Sequence, residues 1–135
     1  MPKDVRPGRI ERDYREAVRW YRLAAEQGQL EAQLNLGNIL YKGLGGLPQN
    51  YAEAAKWFHL AADQGDATAQ SKLGAMYDNG EGVPQDYAVA HMWFNLAAAQ
   101  GDQDGAKARD QIAQRMTPAQ IAEAQKLARD WKPGK

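Results

Sequence analysis

Residues 51–65 read YAEAAKWFHLAADQG, and this stretch decides the fold. On a helical wheel its apolar side chains share one face about 160° wide, which is typical of an amphipathic helix. The residues on this face are Tyr51, Ala54, Ala55, Trp57, Phe58, Ala61 and Ala62. Gly65 follows as a candidate helix end, because glycine adopts the left-handed conformation that terminates helices.

The same pattern occurs three times along the chain, at spacings of 37 and 36 residues. Among the matching positions are Trp20, Trp57 and Trp93, Tyr14, Tyr51 and Tyr87, and Gly28, Gly65 and Gly101. The extra residue of the first period lies near Gly46, in a glycine-rich stretch that indicates a loop. A repeat of this length predicts an array of equivalent structural units.

Each unit contains a second helix. In the middle unit its apolar face comprises Ala69, Leu73, Gly74, Met76 and Tyr77, and the sequence NGEGVP at 79–84 ends it. A glycine inside a helix costs about 1 kcal/mol relative to alanine. We therefore expect Gly37 and Gly74 to lie where a side chain would clash with a packed helix. One helix pair cannot bury its own apolar face, so the pairs should stack into a solenoid.

These residues resemble the Sel-1-like repeat, a relative of the tetratricopeptide repeat. The resemblance rests on the runs YAEAAKWF at 51–58, AADQGDA at 61–67 and LGAMYDNGEGV at 73–83, and it spans residues 13 to 101. It implies a right-handed superhelix with a concave face, which the family uses mainly as a scaffold for protein partners. Some cysteine-rich bacterial members have been described as binding or hydrolysing β-lactams, but this chain has no cysteine. That activity is not carried over.

The predicted fold class is all-α, an α/α solenoid of three antiparallel helix pairs with a C-terminal capping helix. The repeats are predicted at 13–49, 50–85 and 86–116. The third is divergent, because Arg109, Asp110 and Ala113 stand where the second has Leu73, Gly74 and Tyr77.

The two ends of the array differ. The sequence Thr117-Pro118-Ala119-Gln120 has the form of a capping box, so a cap helix is predicted over 117–131, followed by a tail at 132–135. Residues 1–12 are charged and contain two prolines, and they are predicted to be a flexible tail. The first repeat would then have an uncovered edge, through which the chain could self-associate.

Composition excludes several classes of partner. Seventeen basic and seventeen acidic side chains cancel, so no net field attracts nucleic acid or an anionic membrane surface. No apolar run approaches the roughly 20 residues that span a bilayer, and the N-terminus lacks the apolar core of a signal peptide. Cytoplasm and periplasm both remain open.

No cofactor, metal site or catalytic centre is predicted. His59 and His91 are the only histidines, and they occupy different repeat slots, so we do not expect them to converge. The glycines of residues 43–46 lack the lysine and the serine or threonine of a P-loop. We interpret the four tryptophans as core residues, because three share one repeat slot and Trp131 lies on the apolar stripe of the cap helix.

The predicted function is binding of another protein. The outward slots of each first helix are not dictated by packing, and they change from charged to apolar along the array. We expect a partner peptide or helix to lie along this groove on the concave surface. The candidate partner-binding residues are Arg19, Arg22, Lys56, His59, Leu60, Met92, Asn95 and Leu96. The competing interpretation is that the cap helix covers Met92 and that the arginines are merely solvated.

Two alternatives come from other classes. A hydrolase of β-lactam or cell-wall-like substrates would need a nucleophile and a base in one pocket, and the sequence offers no such pair. A purely structural segment of a longer repeat array would contribute length and curvature but no binding site of its own.

Overall fold

The computed structural model describes residues 9–134, with side chains from Asp13 onward. Within this range the chain forms seven α-helices and one 3₁₀ turn, and it contains no strand. In chain order these are α1 (Arg9–Glu26), α2 (Leu30–Lys42), the 3₁₀ turn (Leu44–Gly46), α3 (Tyr51–Asp63), α4 (Ala67–Asn79), α5 (Tyr87–Ala99), α6 (Gln103–Ala113) and α7 (Pro118–Asp130). The predicted all-α repeat fold is confirmed.

The N-terminal helix is longer than expected. It begins at Arg9, so the prediction of a tail is wrong for residues 9–12, whereas residues 1–8 lie outside the described residues. The physical reason is that neither glycine nor proline occurs from Arg9 to Gln27, so no residue type in this stretch breaks the helix. Within the predicted C-terminal tail, the Gly134 N–H donates to the carbonyl oxygen of Asp63 at 2.6 Å.

Polar side chains cap the N-termini of the later helices. Asp66 accepts a hydrogen bond from the backbone N–H of Ala69 at 2.8 Å and so caps α4. Thr117 and Gln120 form the predicted capping box at the start of α7, through reciprocal bonds of 3.1 and 2.9 Å. Each cap satisfies an N–H group that has no acceptor within the helix.

The helix pairs stack through close contacts between α2 and α3 and between α4 and α5. Gly37 of α2 and Gly74 of α4 lie at these contacts. A Cβ atom on Gly37 would come within 2.8 Å of the Phe58 ring, and one on Gly74 within 2.8 Å of the Phe94 ring. The prediction that these glycines permit close approach of a neighbouring helix is therefore confirmed.

Buried glutamines also join consecutive pairs, a feature that the sequence analysis missed. Gln70 donates from its side-chain amide to the carbonyl of Ala62 at 3.3 Å and accepts from Gln100 at 2.9 Å. Gln33 makes the equivalent bonds one repeat earlier. Because a buried amide without partners is costly, these paired bonds favour one register of each helix pair on the next. The recurrence of glutamine at matching slots was the available signal.

The last helix packs against α5, not onto α6 as the next element of the solenoid. Leu127 and Ala128 of α7 and Trp131, which follows the helix, pack against the main core. The Trp131 ring meets the Trp93 ring edge-on at a centroid distance of 6.2 Å. The outer slots of α6 carry charged residues such as Asp110, so they offer little apolar surface. The apolar stripe of α7 is buried on α5 instead.

Candidate protein-binding surface

The eight predicted partner-binding residues lie on the first helix of each pair. By helix they are Arg19 and Arg22 on α1, Lys56, His59 and Leu60 on α3, and Met92, Asn95 and Leu96 on α5. The structure divides this set, because α7 packs against α5 while α1 and α3 keep an outward surface.

We call this outward surface the α1–α3 face. Its exposed residues include Glu16, Arg19, Trp20 and Leu23, which line one pocket on α1, and Lys56 and Leu60 on α3. Leu23 and Leu60 are 55% and 41% exposed, and they occupy matching slots on neighbouring first helices. A shallow groove runs beside Leu60 and is bounded on one side by Gly82 and Val83 of the loop before α5. Large apolar side chains exposed beside a groove are typical of interaction sites.

Trp20 does not belong to the core, so the prediction of core packing is wrong for this residue. It is 69% exposed, whereas Trp57 and Trp93 at the same repeat slot are each 2% exposed. Trp93 packs beside the preceding first helix, where the His59 ring lies 5.5 Å away. Among residues 9–134 no helix precedes α1, so Trp20 lacks this neighbour. Self-association through the N-terminal edge stays a prediction, and Trp20 is a large, exposed apolar side chain at this edge.

The α5 part of the predicted groove is occupied by the chain itself. Met92 is 8% exposed and belongs to the core cluster that α7 contacts, so the prediction that it lies on the partner-facing surface is wrong. Leu96 is partly buried against the same cluster, and Asn95 accepts a hydrogen bond from Arg109 at 3.0 Å. Periodicity identified these residues as outward slots of α5, but it could not show that α7 folds back over the helix.

Arg22 joins α1 to α3. Its guanidinium forms an ion pair with Glu53, which also accepts a hydrogen bond from Trp57 Nε1 at 3.1 Å. The Lys56 ammonium lies 5.0 Å from the centroid of the Trp57 ring, within the range of a cation–π contact. Burial tends to raise the pKa of Glu53, but the hydrogen bonds from Arg22 and Trp57 and the charges of Arg22 and Lys56 together outweigh it and lower the pKa from 4.5.

This ion pair predicts a pH-dependent contribution to stability. Because the pKa of Glu53 is lower in the folded chain, its contribution is full above the unfolded value of 4.5 and is lost as pH falls through the folded pKa. Glu53→Gln should therefore destabilise the chain at pH 7 by less than about 1 kcal/mol, since the pair is partly exposed to solvent. The difference should shrink towards pH 3 in urea unfolding curves.

The control for this measurement is Glu16→Gln, at the matching slot of α1. Glu16 is exposed, so its substitution should have little effect at either pH. If Glu53→Gln destabilises the chain equally at pH 7 and pH 3, the ionised carboxylate is not the source of the effect.

The two histidines have different surroundings. His59 pairs with Asp63 at 3.2 Å at the edge of the groove. His91 is buried, and burial together with the nearby charge of Arg109 lowers its pKa. In the part of the chain that the structure describes, no group of three or more histidine, aspartate or glutamate residues is arranged to hold a metal ion. Of the described helices, none combines the length and apolarity needed to cross a bilayer.

Comparison with known proteins identifies the repeat. The family model described as Sel1 repeat matches residues 6–29, 30–66 and 67–102. The second and third matches begin at α2 and α4, the second helices of their pairs, whereas the first match covers α1. The predicted units at 13–49, 50–85 and 86–116 divide the same period at the first helix of each pair. No curated protein matches the chain at a significant level.

Several solved structures are similar to this chain, and two of them are SLR or Sel1 repeat proteins. One is a protective antigen of uropathogenic Escherichia coli strains that displays an SLR fold, with 36% identity and a TM-score of 0.85 over 90% of this chain and 26% of that chain. The other is a Sel1 repeat protein from Oxalobacter formigenes, with 40% identity and a TM-score of 0.59 over 62% of this chain and 63% of that one. This chain thus spans less than two thirds of either protein. On the family match and these structures together, the chain belongs to the Sel1 repeat family.

Proposed function

We propose that this chain is a non-enzymatic interaction module that binds a peptide or helix of a partner protein on the α1–α3 face. Sel1 repeat proteins are generally protein-interaction scaffolds. The observation that carries the proposal is the exposure of Leu60, which is 41% accessible beside a groove and next to the exposed cation Lys56. Burying this leucine against a partner would remove apolar surface from water.

The residues of the face have distinct roles in this proposal. Leu23 and Leu60 supply the apolar anchors, and Arg19 and Lys56 orient the partner through charge. Arg22 acts indirectly, because its ion pair with Glu53 holds α1 against α3. His59 lines the groove. Since α7 covers the Met92 slot, the proposed site does not extend onto α5.

The alternatives differ in their support. The interpretation that this chain is a structural segment of a longer repeat array stays a prediction. The chain spans 26% and 63% of the two similar structures, which agrees with this interpretation. For a hydrolase we find no specific observation in residues 9–134 that favours it, so it is not proposed.

Leu60→Asp should weaken partner binding without unfolding the chain. A carboxylate placed in an apolar contact loses its hydration, so we expect at least about tenfold weaker retention of the partner. The measurement is a pull-down from a lysate of the source organism, with bound proteins quantified by mass spectrometry and folding checked by circular dichroism.

Ala122→Asp, on the exposed side of α7, is the matched control. It adds the same charge away from the α1–α3 face, so it should retain the partners that the wild type retains. If all three baits retain the same proteins, the partner does not bind at Leu60 and the proposed site is wrong.

A further inference from the structure

We infer that the element bound on the α1–α3 face is an amphipathic helix with acidic side chains, seated on α3 in the way that α7 is seated on α5. This inference rests on the proposed function and specifies the chemistry of the partner. Two observations support it. Within this chain α7 packs against α5, which is the first helix of its pair. At the equivalent positions of α3 and α5, Lys56 is charged and Met92 is not.

The internal example is the contact between α7 and α5. The apolar stripe of α7 packs on the core cluster that contains Met92 and Trp93, and Trp131 meets Trp93 edge-on. The end of this segment reaches α3, where the Gly134 N–H donates to the Asp63 carbonyl. A helix seated on a first helix of this array is therefore part of the observed fold.

The slots that α7 covers on α5 have open counterparts on α3. Met92 and Leu96 match Lys56 and Leu60 at the repeat spacing of 36 residues. Met92 is 8% exposed beneath α7, whereas Leu60 is 41% exposed and Lys56 is also exposed. Leu96, the counterpart of Leu60, packs against the same core cluster as the apolar residues of α7. Because α3 and α5 present these slots with the same helical spacing, a second helix can cover Leu60 in the same way.

The difference between the two surfaces sets the charge of the partner. Where α7 covers the uncharged side chain of Met92, α3 presents the ammonium of Lys56. Arg19 presents a guanidinium at the same slot of α1. Neither cation has an ion-pair partner among residues 13–134. Lys56 is stabilised by the Trp57 ring and by the charge of Glu53, but neither forms an ion pair with its ammonium. An apolar helix would remove water from both cations and supply no counter-charge, whereas a helix with carboxylates would pair with them.

The test uses two synthetic helices derived from α7. One has the sequence of residues 117–131, TPAQIAEAQKLARDW, and the other carries Lys126→Glu and Arg129→Glu, both at exposed positions. Each is acetylated, amidated and labelled, and its binding to the full chain is followed by fluorescence anisotropy. We expect the acidic peptide to bind about fivefold more tightly, because two exposed ion pairs contribute modestly.

Variants of the full chain locate the binding. Lys56→Glu leaves one cation, Arg19, opposite one carboxylate, so it should remove the preference for the acidic peptide. Leu60→Asp should weaken both peptides about tenfold. Arg115→Glu makes the same charge change in the exposed turn before α7, so it should leave the preference unchanged.

Equal effects of Lys56→Glu and Arg115→Glu, or no binding of either peptide, would overturn the inference. The lysate experiment then separates it from the proposed function. If Leu60→Asp still loses partners from the lysate, the α1–α3 face binds a partner that is not an acidic helix. If it loses none, both proposals fail.

Discussion

Trp93→Ala should lower the free energy of unfolding by about 3–5 kcal/mol, whereas Trp20→Ala should change it by less than about 0.5 kcal/mol. The two residues have the same identity and the same repeat slot, and they differ in burial, at 2% against 69% exposed. Removing the Trp93 ring leaves a cavity beside His59 and Trp131, which both contact it edge-on. Removing the Trp20 ring leaves none. Urea unfolding followed by circular dichroism measures both differences.

Trp93→Phe is the control within the same site. It keeps an aromatic ring and removes an indole N–H for which the described part of the chain offers no hydrogen-bond acceptor. Its cost should therefore be well below that of Trp93→Ala. If Trp20→Ala is as costly as Trp93→Ala, Trp20 is covered in solution, and sedimentation velocity would show whether a second copy covers it.

Gly74→Val should destabilise the chain by about 3 kcal/mol, at the upper end of the usual range for overpacking. A Cβ atom at this position would lie 2.8 Å from two ring atoms of Phe94 and 3.2 Å from the carbonyl oxygen of Ala90. The ring is buried between α4 and α5, so the two helices must separate to admit the new side chain. Thermal and urea unfolding of the variant measure the loss.

A double-mutant cycle assigns this cost to the contact with Phe94. Gly74→Val combined with Phe94→Leu should be more stable than the sum of the single changes predicts, with a coupling of about 1 kcal/mol or more. Ala122→Val on the exposed side of α7 controls for the weaker helix propensity of valine and should cost about 0.5 kcal/mol. If the losses of unfolding free energy from Gly74→Val and Phe94→Leu simply add, the cost of Gly74→Val does not come from contact with the Phe94 ring.

The sequence alone was enough to predict the features that depend on residue types at fixed, short spacings. The helix pairs, the capping box at Thr117 and the close contacts at Gly37 and Gly74 all belong to this group. Each is set by interactions within a few residues or by a slot that repeats in every unit, so periodicity is sufficient to predict it. The exposure of Lys56 and Leu60 followed in the same way, because the helical wheel directs these slots away from the core of their own pair.

Only the tertiary structure decided what covers each outward slot. Met92 and Leu60 look alike on a helical wheel, yet α7 covers one and leaves the other exposed. Trp20 and Trp57 share a repeat slot, yet among residues 9–134 only Trp57 has the first helix of a preceding pair beside it. Arg22 of that helix and Trp57 both donate to the Glu53 carboxylate. Periodicity shows which side of a helix is apolar. Which distant element packs there depends on contacts between residues far apart in the chain, and a local pattern carries no information about them.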